Sequence, residues 1–146
     1  MFRLDDIRHR IEALVPALVG RVENAGQFAQ LIERNQLPQV TPAAFVLPGG
    51  LSGGPAEAIA GIFIQSFDEV VSVVLADRVA GDAVGGKALD GMTPLVIDVV
   101  NAVCGWGPDD AIGIFTLRSG ELVGSQNGVL VFQLDFAMND QLRINR

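Results

Sequence analysis

Residues 129–140 read VLVFQLDFAMND, and their alternation decides the class of fold. Leu130, Phe132, Leu134, Phe136 and Met138 fall on one side, while Gln133, Asp135 and Asn139 fall on the other. A period of two sends successive side chains to opposite faces of a strand, so this segment has one face in a core and one face wet. Just before it, Asn127-Gly128 is a two-residue hairpin signal, because the turn that suits twisted strands needs positive φ at both positions. Further upstream, residues 121–124 read as a returning strand, Ser119-Gly120 as a second turn, and residues 112–117 as a strand leading into it. The C-terminal part of the chain is therefore expected to be a meander.

Working outward, the period changes to helical from Gly85. Leu89, Met92, Val96, Val99, Val100 and Val103 share a stripe, with Asp90, Asp98 and Asn101 facing away. Pro94 is either the start of this helix or a kink in it, and Gly105 and Gly107 bracket its stop. The preceding run IFIQSFDEVVSVVLADRV is a strand whose adjacent valines, Val70-Val71 and Val73-Val74, break strict alternation. Both of its faces are expected to be covered over part of its length. At the N-terminus, LDDIRHRIEALVPALVG places Leu4, Ile7, Ile11, Leu14, Val15 and Leu18 on one stripe, with acids in the first turn where the amide dipoles favour them. Pro16 ends or bends that helix. A shorter helical face at Phe28, Leu31 and Ile32 is closed by Pro38, and a compact strand follows at Phe45 and Val46.

Between the two strands lies PGGLSGGP, residues 48–55. It reads as the core of a flexible glycine-rich loop over about 48–62, with Pro48, Gly49, Gly50, Gly53 and Gly54 free to settle against a partner. The whole reads as one α+β domain over 1–146: a twisted, mostly antiparallel or mixed sheet of about four or five strands, with two longer helices packed on it. Leu89, Val96, Val99, Val103, Phe132, Leu134 and Phe136 are the expected core.

Composition narrows the function classes. The 146 residues carry a net charge of -7, which repels a phosphate backbone and argues against specific nucleic-acid binding. The single cysteine, Cys104, allows no internal disulfide, and the chain opens without a signal-peptide pattern, so a reducing cytoplasm is the expected compartment. Apolar runs are too short to span a bilayer, so no membrane partner is expected.

The motifs argue against catalysis. A phosphate-binding loop needs a lysine and a hydroxyl residue after its glycines, but here Pro55 follows and the nearest lysine, Lys87, is far along the chain. One histidine, His9, and one cysteine cannot assemble a zinc site, so no metal and no cofactor are expected. Asp68 and Glu69 fall on opposite faces of a strand, Asp109-Asp110 follow a Gly-Pro turn, and Asp135 stands on a wet face. Solvation or an intersubunit ion pair suits each of them better than acid-base work. The mean hydropathy of +0.38 is high for a 15.4 kDa chain. Small domains cannot hide all their apolar surface, so burial between subunits is expected, at the strand 70–75 and the edge of the meander.

In order and spacing, the segments LDDIRHRIEALVPAL, NQLPQVTPAAFVLPGG, FIQSFDEVVSVVLADR, ALDGMTPLVIDVVNAVCGW and GELVGSQNGVLVFQLDFAMNDQLR resemble the tail terminator, or tail completion, proteins of long-tailed phages and prophages. The resemblance covers nearly the full length and includes no catalytic signature. It implies a structural virion protein, not an enzyme. Such a protein forms a homohexameric ring at the head-proximal end of the tail, assembled in the host cytoplasm. One ring face would stop the tail tube protein and the other would meet the head connector, with DNA passing through without sticking. Another neck or tail adaptor of related fold, or a small acidic hydrolase, are the alternatives. On this resemblance Leu37 to Pro42 approach the first central strand, Trp106 anchors the long helix or sits in an interface, and Asp135 is offered to a neighbouring subunit. The stretch PGGLSGG is more glycine-rich than the family pattern.

Overall fold

The computed structural model describes residues 2–78, 86–109, 111 and 113–146, with the backbone alone over 86–89. Helix α1 spans Leu4–Leu14, strand β1 Val22–Glu23, helix α2 Ala25–Glu33, strand β2 Ala43–Ile59 and strand β3 Ile62–Arg78. Helix α3 spans Gly86–Val103, strand β4 Thr116–Gln126 and strand β5 Val129–Asn145. The strands form one sheet in the order β1-β2-β3-β5-β4, antiparallel throughout except for the β1-β2 pair. This is the mixed α+β sheet that the alternation in β5 predicts.

Each helix is made and stopped by local chemistry. In α1, Asp5 and Asp6 lie in the first turn, Ile7 and Ile11 are fully buried, and Pro16 opens a separate 3-10 turn just after the end. In α2 the Asn24 side chain accepts from the Gln27 N–H while the Gln27 side chain accepts from the Asn24 N–H, satisfying two orphan donors at once. Its stop comes earlier than Pro38: Asn35 adopts φ 51°, and the amides of Asn35 and Gln36 donate back to the carbonyls of Ile32 and Leu31. Helix α3 contains Pro94 within it and ends where Gly105 turns left-handed at φ 79°.

The sheet has a layer on each face. On one side α1 and α3 bury Ile7, Ile11, Met92, Val99 and Val103 against Val71, Val73, Leu75, Leu134, Phe136 and Phe115. On the other side α2 sets Phe28 and Leu31 against Ala43, Phe45, Val74 and Val131, with the Phe28 and Phe45 rings 5.2 Å apart. The adjacent valines of β3 are thus explained: Val71 and Val73 serve one layer, Val74 the other. Val96 and Phe132 pack half-buried at the margin of the larger core, and the side chain of Leu89 lies outside the described residues.

Two expectations about turns are corrected. Residues 48–59 are not a loop but the outer part of β2, paired with β3 through to Ile59↔Ile62 and closed by Ala60 and Gly61 at φ 51° and 80°. The glycines accommodate close cross-strand contacts: a Cβ on Gly49 would lie 2.8 Å from Val70 Cγ1, and one on Gly54 would lie 2.7 Å from Ser66 Oγ. Nor is there a turn at Ser119-Gly120. Strand β4 runs straight through both, with an irregularity between Leu117 and Ser119, and pairs with β5 along its length. The Asn127-Gly128 turn is present, at φ 53° and 79°.

Candidate assembly surfaces

The sheet narrows as it leaves the helices. Strand β4 pairs with β5 only as far as Ala137, and β1 pairs with β2 only at Ala44 and Phe45. Beyond these levels β2, β3 and β5 continue alone to Ile59, Ile62 and Asn145 as a three-stranded arm. At about 3.3 Å per residue, the nine residues 51–59 carry it roughly 30 Å. The two faces of the arm differ. Phe63, Leu142 and Ile144 continue the face that α1 and α3 cover in the body, with Leu51, Ala56 and Ala58 paired beside it. Ser52, Glu57, Ser66, Asp68, Gln141 and Arg143 make the other face mostly polar, with Ile59, Ile62 and Ile64 toward its tip. Leu51, Ile59 and Ile62 are exposed.

A second feature is an apolar groove of about 320 Å³ on the α2 side of the sheet, lined by Phe28, Ile32, Leu37, Val74, Val123 and Val131 among others. It exists because α2 covers the β2 side of that face and leaves the β5-β4 side open. Exposed Ile32 and Val123 mark its rim.

The acidic candidates separate as the strand period requires. Asp68 is on the polar face, where it accepts from Asn139 Nδ2 at 3.0 Å. Glu69 is on the opposite face and fully buried; its Oε1 accepts the Phe2 N–H at 2.9 Å, and its Oε2 has no partner. The solvated or intersubunit role expected of Glu69 does not fit that burial. Asp135 is half-buried and accepts from Ser72 Oγ at 2.6 Å, from Gln133 Nε2 at 3.0 Å and from Ser119 Oγ at 3.3 Å. Its carboxylate is engaged within its own sheet.

Trp106 stacks on Phe115 with ring centroids 5.9 Å apart, and the Arg10 guanidinium lies 5.0 Å over its ring. Arg10 also donates to the Ala102 carbonyl at 2.7 Å, which ties α1 to the last turn of α3. The open cleft of about 540 Å³ beside it is lined by Asp6, exposed His9, Arg10, Trp106 and Asp109. Asp110 lies outside the described residues. Cys104 packs half-buried at the margin of the core. Among the described residues no group of His, Cys, Asp and Glu is placed to hold a metal ion.

What the fold presents is open strand edges and exposed apolar surface. The whole chain, residues 1–146, matches the family described as phage tail terminator protein, and it belongs to that family. A search of curated proteins found no match. The chain is accordingly a non-catalytic structural protein of a phage particle.

Proposed function

We propose that six copies close into a ring that caps the head-proximal end of the tail tube. On this reading one ring face docks on the tail tube protein and ends its polymerisation, while the other receives the head connector. The family match supports the terminator role, and one structural observation carries the ring: the arm has open strand edges on both sides, one on β2 and one on β5. Two different edges on one protomer make a head-to-tail contact, and such contacts either close into a ring or run on as a filament. A closed ring pairs both arm edges and leaves two axial faces.

The ring assembles in the host cytoplasm, each protomer as a single domain. The segment 48–62, with Pro48, Gly49, Gly50, Gly53 and Gly54, belongs to the contact region as part of the arm, and Asp68 lies on the arm's polar face. Trp106 serves to anchor α1 to the end of α3. Electron microscopy of tails made with and without the protein tests the function. Overlong tails without heads are expected in its absence; tails of normal length that still join heads would overturn it.

A further inference from the structure

The two edges of the arm match each other at three successive levels. Strand β3 pairs with both outer strands in the arm, so it serves as a common ruler. At the level of Phe63 the outer residues are Ala58 and Ile144; at Ile64, Glu57 and Arg143; at Gln65, Ala56 and Leu142; at Phe67, Gly53 and Asp140. Residues 113–115 run beside Asn139, so the open edge of β5 is 140–145. Place two arms side by side at one level, and Ala58 meets Ile144 and Ala56 meets Leu142, while at the tip Ile59 meets Asn145. Glu57, the acid of the β2 edge, meets Arg143, the base of the β5 edge, on the same face, while Asp140 meets Gly53. Glu57 and Arg143 are both exposed, and among the described residues neither forms an ion pair within its own chain. No like charges oppose.

We propose that the arm is the joint between copies of this chain: the β2 edge of one arm pairs with the β5 edge of the next, locked by Glu57 to Arg143. This rests on the ring reading above and specifies its contact. The two strands run in the same direction within the arm, because each is antiparallel to β3. Rotation about a ring axis preserves direction, so the joint is a parallel pair, and the arms together continue one sheet around the axis.

Charge reversal tests the contact. Glu57→Arg and Arg143→Glu each set like charges across every joint, and each is expected to raise the concentration for half-assembly about tenfold or more. Circular dichroism and thermal melts show whether each variant folds. Mixing the two folded variants is expected to restore rings, because copies alternating around an even-numbered ring put opposite charges at every joint. Independently, Ala58→Cys with Ile144→Cys in a Cys104→Ser background is expected to give a disulfide ladder of linked copies. Within one chain these positions flank β3, roughly 10 Å apart, too far for a bond.

Light scattering, in solution and on tail tubes, separates the outcomes. If the unaltered protein forms rings but neither reversal weakens them and no ladder appears, the arm joint is wrong and the ring stands. If the unaltered protein never forms a ring, both readings fall.

Discussion

Asp77 shows how a single side chain reports on its position in the sheet. It pairs across from Leu130 near the end of β3, and its carboxyl is held above the ordinary value of 3.8, chiefly by burial and against the opposing pull of the Arg78 backbone amide. A carboxyl raised in the folded state binds its proton more tightly there than in the unfolded chain. The contribution of this carboxyl to stability is therefore greatest below 3.8, falls as pH rises through the window between that value and the raised folded one, and stays at the lower level toward neutrality. Asp77→Asn removes the charge and keeps the shape. It is expected to raise the melting temperature near neutral pH and to lose that advantage at about pH 3, where both forms are neutral. Melting curves across the range check this; an advantage that persists in acid would mean that burial of the charge is not the cause. Glu69 teaches a related lesson. Its neighbours in sequence predict which face it occupies, but not that Phe2, far away along the chain, donates to it in the core.

At the scale of elements, legibility followed the strength of each local signal. Strand β5 and helix α1 could be read because their apolar periods are set by the layers they bury, and the Asn127-Gly128 turn because its backbone demands those residues. Strand β2 could not. Its outer part has the composition of a loop, since glycine and proline disfavour strands, and only pairing with β3 makes it extended. One signal did exist: β3 is a long run, and a long central strand needs partners of similar length on both sides. The end of β5 supplied one of these, with Leu142 and Ile144 alternating against Gln141 and Arg143. Residues 48–59, expected as a loop, are thus the outer part of a strand. Glycine at 49 is then a packing requirement. Gly49→Ala forces a Cβ to within 2.8 Å of Val70 Cγ1 and 2.9 Å of Ser72 Oγ, and is expected to cost about 1–3 kcal/mol. Gly124→Ala in β4 meets nothing within 4 Å and is expected to change stability by less than about 0.5 kcal/mol. Urea titrations of the two variants make the comparison, and equal stabilities would argue that 48–55 is not held in the sheet.

For the whole molecule, the charge balance bears on what a ring of this chain lets pass. The chain holds 10 Lys and Arg against 17 Asp and Glu. Binding to DNA draws most of its strength from cations that replace condensed counterions, and a net negative body repels the backbone over the Debye length. On the mostly polar face of the arm, Ser52, Ser66, Asn139 and Gln141 offer hydrogen bonds without charge, Ile59, Ile62 and Ile64 offer none, and Arg143 is the one base against Glu57 and Asp68. If Arg143 is held by Glu57 of the next copy, it is not available to phosphate. A channel lined by this face would let DNA slide instead of holding it. Purified rings are therefore expected to retain no double-stranded DNA at physiological salt, about 0.15 M, and Glu57→Ala is expected to increase retention at low salt by freeing Arg143. A filter-binding series in salt reads both. Tight retention by the unaltered ring at physiological salt would mean that the polar face does not line the path of the DNA, or that basic side chains elsewhere reach it.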